Sequence, residues 1–146
     1  MRVLIDSDVV IAAMAGSEDQ SEASQVVMDA LADGRFTGCT TPVLMANIMF
    51  VISNKWRLGR RTPDRARVVK AMNSLLPMFT MIPIGHADFY ASFASEFGDL
   101  EDGVQHFAAL HATGVDAIVT CNTKDFGPSQ IPVLDPSKFA ADHLDL

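Results

Sequence analysis

Apolar and polar positions along this chain fall into two alternating rhythms. Short runs of strand length, opening with Val3-Leu4-Ile5, are separated by longer stretches in which apolar residues recur at helical spacing. The pattern predicts strands over 2–6, 36–41, 78–84, 117–121 and 131–134. It predicts helices over 8–15, 21–33, 42–57, 62–76, 86–97, 99–113 and 136–143. The punctuation agrees. Gly16-Ser17-Glu18-Asp19 separates the first two helices, Gly34 and Gly114 end theirs, Pro42 opens one from its first turn, and Pro77 closes another. Strands that alternate with helices, and no hairpin signal between them, mean parallel pairing through right-handed crossovers. The expected fold is α/β, a three-layer α/β/α sandwich around a central parallel sheet of about five strands. No linker, repeat or low-complexity stretch divides it, so residues 1–146 are read as one domain.

Composition bounds what such a domain can be. With 146 residues, 49% of them hydrophobic, the chain can fill one core. It contains no run of 18 apolar residues and enters a strand at once, so a cytoplasmic protein without a membrane partner is expected. Cys39 and Cys121 lie in apolar runs and not at zinc-site spacing, and both read as core thiols. The net charge of −7 has the wrong sign for a nucleic-acid protein, but its distribution matters more. Seven of the eleven basic residues, Lys55, Arg57, Arg60, Arg61, Arg65, Arg67 and Lys70, fall within positions 55–70 beside a single acid, Asp64. That segment offers a local phosphate-binding face, or an ordinary solvated helix-loop-helix, on an otherwise acidic surface.

Polar groups interrupt the pattern at four places. Asp6 follows the first strand directly, at the edge where open α/β sheets place their ligands; either Asp6 or Asp8 also suits a helix cap. In Pro-Val-Leu-Met-Ala-Asn-Ile-Met-Phe-Val-Ile, Asn47 is the sole polar side chain and needs a partner. It either ties its helix to a strand end or faces a wet cavity. Asp99 and Asp102 stand three apart on one helix face, with Asp99 at an N-cap position and Gln105 and His106 one turn on from Asp102. The strand at 117–121 empties into Thr120, Asn122 and Asp125 and is the geometric twin of the first. If those two strands are neighbours, Asp6, Thr120, Asn122 and Asp125 rim one crevice that Asp99 and Asp102 can reach. Such a cluster repels itself, and a hard divalent cation, Mg²⁺ or Mn²⁺, is the usual remedy.

Four of these segments, in order, resemble a PIN domain: Leu-Ile-Asp-Ser-Asp-Val-Val-Ile, Thr-Thr-Pro-Val-Leu-Met-Ala-Asn-Ile-Met-Phe-Val-Ile, Gly-Asp-Leu-Glu-Asp-Gly-Val-Gln-His-Phe-Ala-Ala and Ile-Val-Thr-Cys-Asn-Thr-Lys-Asp-Phe. The resemblance spans essentially the whole chain, including the closing Val-Leu-Asp-Pro-Ser-Lys-Phe. It implies a Mg²⁺- or Mn²⁺-dependent ribonuclease, and a stand-alone chain of this length is similar to the VapC toxins of bacterial toxin–antitoxin pairs. By that resemblance Asp6 matches the first acid and Asp102 the third, while Asn122 stands where many members carry the fourth, with Asp125 close behind. Asn47 occupies the position at which a typical member has glutamate. An amide supplies a neutral oxygen but neither charge nor a general base.

The implied site has Asp6 and Asp102 on one ion, with Asp99, Asp125 and Asn122 orienting its waters or a second ion and Asn47 fixing substrate or water. Ser7 or Thr120 would bond a phosphate or a ligating carboxylate, and Lys55, Arg57, Arg60 and Arg61 would hold the RNA backbone. A cognate antitoxin and a homodimer are the implied partners, with an exposed apolar face around Met45, Met49 and Phe50 available for the second copy. Two other readings compete. The triplet Asp6-Ser7-Asp8-Val9-Val10 fits the Asp-x-Asp-x-Val loop of haloacid-dehalogenase-type phosphatases, although only 26 residues follow Thr120 to hold their later motifs. A PIN-like module that binds RNA or protein without cutting is the other.

Overall fold

Five short strands, β1 (Arg2–Ile5), β2 (Thr37–Thr40), β3 (Phe79–Met81), β4 (Ala117–Val119) and β5 (Val133–Leu134), form one parallel sheet in the order β3-β2-β1-β4-β5. The computed structural model describes residues 1–16, 20–57 and 59–145, and Ser17, Glu18 and Asp19 of the expected first break lie outside them. Strand β1 is central, with Val3 opposite Gly38 of β2 on one side and Ala117 of β4 on the other. The twin strands are therefore neighbours.

Among the described residues, seven helices cover the sheet: α1 (Ser7–Ala15), α2 (Ser21–Ala32), α3 (Pro42–Lys55), α4 (Arg65–Leu75), α5 (His86–Phe93), α6 (Leu100–His111) and α7 (Pro136–His143). Strand alternation divides the core in two. Val3, Ile5, Ala117 and Val119 pack with Val9, Val27, Ile48, Val68 and Phe139, which belong to α1, α2, α3, α4 and α7. Leu4, Cys39 and Ile118 face the opposite way, against Ile82, Phe97, Ala108 and Phe126. Both faces are buried, as a parallel sheet requires. Cys39 is fully buried, and burial pushes its thiol up to about 11.

Side chains fix where the helices begin. Thr41 accepts the Leu44 N–H at 3.1 Å with Pro42 in the first turn, Asp64 accepts the Arg67 N–H at 3.2 Å, and Asp135 accepts the Lys138 N–H at 2.8 Å. Several ends depart from the expected ones. Helix α5 stops at Phe93, four residues early, because the Ser95 hydroxyl donates to the Ser92 carbonyl at 2.7 Å and accepts the Phe97 N–H at 3.2 Å. Strand β3 ends at Met81 just before Ile82-Pro83, since proline has no N–H to continue the ladder. Pro77 does not stop the chain's winding at once; it lies within a 3₁₀ turn, Leu76–Met78, that follows α4. A second 3₁₀ turn, Thr123–Phe126, lies where the pattern showed only the tail of a strand.

Helices α5 and α6 are pinned together, which fixes the first turn of α6 against the sheet edge. Asp88 Oδ1 lies 2.7 Å from His111 Nδ1, and the Ser92 hydroxyl donates to the Leu100 carbonyl at 2.7 Å. Gly103 permits the close approach: a Cβ there would lie 2.3 Å from Ser92 Oγ and 3.2 Å from Phe97 Cβ. Gly103→Ala should therefore separate the two helices and cost about 1–3 kcal/mol, the usual penalty for overpacking. Chemical denaturation of wild type and variant measures it; an unchanged midpoint would show that the contact is slack.

Candidate functional site

Asp6 directly follows the central strand, and only 9% of its surface is exposed. Its N–H donates to the Val119 carbonyl at 3.0 Å, so the sheet holds its backbone, and as N-cap of α1 its Oδ1 accepts the Ser7 N–H at 2.7 Å. Its Oδ2 accepts from the Thr120 hydroxyl at 2.9 Å. Burial, then the charge of Asp8, push the Asp6 carboxyl up to about 7 against the opposing effect of those bonds. Asp8 is not the cap. Its two oxygens accept the Cys121 N–H at 3.1 Å each, one of them also lies 3.2 Å from Thr120 Oγ1, and burial raises its pKa. Asp8 thus anchors α1 to the end of β4, a role the sequence did not indicate.

Asn47 also finds a definite partner. Its Nδ2 donates to Ser7 Oγ at 2.9 Å, which ties α3 to the first residue of α1. The amide reaches the rim of the site through Ser7.

The remaining acids come from α6 and the 3₁₀ turn after β4. Asp99 caps α6, its Oδ1 accepting the Glu101 and Asp102 N–H groups at 2.9 and 3.1 Å. It is nevertheless more than a cap: Asp99, Asp102 and Asp125 can each offer an oxygen within 4.8 Å of the others. Asp125 accepts a hydrogen bond from the Asn122 amide. The Asp102 carboxyl is pushed up to about 7 by burial and then by the charges of Asp6, Asp99, Asp125 and Glu101. Acids from the first strand, the late helix and the last long strand thus sense one another. Asp6, more deeply buried, is not a member of this trio, in which Asp99 is exposed and Asp102 and Asp125 are half-buried.

Gln105 and His106 do not join this site. The Gln105 carbonyl accepts from the Thr41 hydroxyl at 2.6 Å, bracing α6 against the start of α3. His106 Nε2 accepts the Gln130 N–H at 3.0 Å, and burial lowers its pKa. Both residues are fully buried in the support of α6. Among the described residues, the contacts of this basic segment are local, Arg57 to the Arg61 carbonyl and Arg60 to Asp64 at 3.7 Å. At 1.5 Å per residue, Lys55 at the end of α3 lies roughly 12 Å along the helix from Asn47. Met45 is core, so the exposed apolar face expected on α3 reduces to Met49 and Phe50.

The donor set is all oxygen, mostly anionic and self-repelling, which suits a hard divalent cation and not a soft one. A parallel α/β sandwich with an acidic cluster outside the C-terminal edge of its central strands defines a class of metal-centred domain. The PIN domain family matches residues 2–124, and the chain belongs to that family. Solved structures share its fold at low identity. PAE2754 from Pyrobaculum aerophilum superposes with a TM-score of 0.69 at 15% identity, over 100% of this chain and 91% of that one. A toxin-antitoxin complex from Klebsiella pneumoniae gives 0.62 at 18%, over 92% and 97%. VapBC2 from Rickettsia felis, bound to a DNA fragment from its promoter, gives 0.63 at 12%, over 92% and 98%. No curated protein matches the chain in sequence. Membership in the PIN family displaces the phosphatase reading of the Asp6 loop, and Asp8, bound to the Cys121 N–H, is tied down where that reading needed an acid/base.

Raised carboxyl pKa values set a stability signature. A folded-state pKa of about 7 against the ordinary 3.8 means that the native protein binds the proton more tightly than the unfolded chain. This contribution to stability is whole below pH 4 and is lost as pH rises to about 7. In EDTA, Asp102→Asn should melt at nearly the wild-type temperature at pH 4 and progressively above it up to pH 7, then hold a constant advantage. A variant less stable than wild type at pH 8 would contradict the repulsion.

Proposed function

We propose that this protein is a divalent-metal-dependent endoribonuclease, the toxin of a toxin–antitoxin pair, with Mg²⁺ or Mn²⁺ held at the strand ends. The convergence of Asp99, Asp102 and Asp125 in front of buried Asp6 carries this reading. The cation would lower the pKa of a water and offset charge on the phosphoryl oxygens. The chain's own groups do the rest. Asp102, which feels the charges of Asp6, Asp99, Asp125 and Glu101, would be the shared ligand, with Asp99 and Asp125 beside it and Asp6 more deeply buried. Asn122 fixes the Asp125 carboxylate, and Thr120 fixes Asp6. Asn47 holds the Ser7 hydroxyl, whose oxygen lies 3.5 Å from Asp6 Oδ1.

The substrate is RNA, gripped through its backbone by the exposed cations Lys55, Arg60 and Arg61 at the far end of α3. A cognate antitoxin is the protein partner, by analogy with the Klebsiella pneumoniae complex, and a homodimer in the cytoplasm is the working assembly. No helix among the described residues is long and apolar enough to cross a membrane. A binding module without catalysis is the second reading, and one observation favours it: the amide of Asn47 is spent on Ser7 and brings no charge to the site.

Purified protein with RNA and Mg²⁺ or Mn²⁺ separates the two. Cleavage should occur, cease in EDTA, and fall at least about 100-fold in Asp102→Asn, which removes a charged ligand while keeping its shape. Asn47→Ala should fall about tenfold, the scale of losing a group that orients a site residue. Metal-dependent binding of RNA without any cleavage would establish the second reading.

A further inference from the structure

Asp8 is a carboxylate where an amide would do the visible work. It is half-buried on α1, its two oxygens share the Cys121 N–H at 3.1 Å each, and no cation pairs with it among the described residues. An asparagine oxygen would anchor α1 to β4 equally well and bring no charge. The charge has a cost here. Asp8 Oδ2 lies 3.2 Å and Asp6 Oδ2 2.9 Å from one atom, Thr120 Oγ1, so the two carboxylate oxygens are within about 6 Å of each other. That hydroxyl has a single proton for the two acids, and its oxygen already accepts the Asn122 N–H at 3.1 Å. Thr120 is fully buried, which limits the screening between the two charges. A carboxylate in a first turn also suits the helix dipole, but Asp6 already caps α1.

A repulsion that an amide would remove points to a group that turns it to use. On the opposite rim Asn47 is neutral, and its amide is committed to Ser7. We propose that Asp8 is a positioning residue of the cation site: it touches no ion, but its negative charge, held close to Asp6 by Thr120 and Cys121, strengthens divalent-metal binding and replaces the charge that Asn47 does not bring. A unit charge at this range, in the intermediate dielectric of a half-buried site, changes the affinity for a doubly charged ion about tenfold or more. Groups that stand behind a ligand act on the same scale. Asp8 therefore has two roles with different requirements. Its anchoring of β4 depends on shape and an acceptor oxygen, whereas its effect on the ion depends on charge. The inference rests on the proposed metal site, and its test keeps the two apart.

Calorimetric titration of Mn²⁺ into the metal-free protein compares wild type with Asp8→Asn, Asp8→Glu and Asp102→Asn. It is run at pH 8, where Asp6 and Asp102, pushed up to about 7, are mostly ionised and proton competition is small. Asp8→Asn keeps the shape and the acceptor for the Cys121 N–H and removes only the charge; Asp8→Glu keeps the charge and strains the anchor. Affinity should fall at least about tenfold in Asp8→Asn and stay within about threefold of wild type in Asp8→Glu. Melting temperatures in EDTA should run in the other order, with Asp8→Glu below Asp8→Asn. The tenfold ratio should persist from about 0.05 to 0.5 M KCl, because a charge beside a buried threonine is screened little. Asp8→Ser, shorter and equally neutral, takes the place of Asp8→Asn if that variant does not fold. An affinity within about twofold of wild type in the neutral variant, or affinities that follow melting temperature instead of charge, would overturn the proposal. If that happens while Asp102→Asn abolishes binding, the metal site stands and only the role of Asp8 falls; if wild type binds no Mn²⁺, both fall together.

Discussion

Everything at this site depends on a carboxylate buried where the central strand of a parallel sheet stops. Asp6 cannot move away from the edge: the sheet holds its N–H, α1 takes one oxygen as its cap, and Thr120 of the neighbouring strand reaches the other. Burial of that group is unfavourable to its charge, and the chain places Asp8 and Asp102 near enough to raise the cost further. A fold selected for stability alone would not collect like charges there. The arrangement makes sense if a cation joins them, because its attraction to each carboxylate offsets their mutual repulsion and the cost of burying them.

The second element is how rigidly the three clustered acids are presented. Asp102 sits in the first turn of a helix whose cap, Asp99, is itself one of the trio, so a single hydrogen-bonding arrangement both starts α6 and aims its carboxylates. Behind it, Gln105 reaches Thr41, His106 accepts from Gln130, and Gly103 lets α5 press close. These residues touch nothing reactive. They are positioning residues for the turn that carries Asp102.

Much of this was legible in the sequence, for reasons that can be named. The run Val3-Leu4-Ile5 into Asp6 announces a buried strand and its functional edge, and the matching run ending in Thr120 and Asn122 announces the neighbour. Period-2 and period-3.6 patterns are local, so strand and helix existence could be read directly. What escaped was contact-dependent. Nothing local says that Asp8 turns to the Cys121 N–H instead of capping α1, or that Met45 faces the core while Met49 and Phe50 face out. Asp99 illustrates the intermediate case: capping and clustering both fit its position, and the structure shows that it does both. Asn47 was recognisable as an amide in need of a partner, but only the fold identifies Ser7 as that partner.

The most direct test of the central claim is calorimetric titration of Mn²⁺ into the metal-free protein at pH 7, repeated in buffers of different ionisation enthalpy so that protons are counted with the metal. Because two carboxyls there are poised near pH 7, binding should release roughly one proton per ion, and Asp102→Asn should lose both the binding and the release. An affinity unchanged by Asp102→Asn, or binding with no proton released at pH 7, would contradict the account.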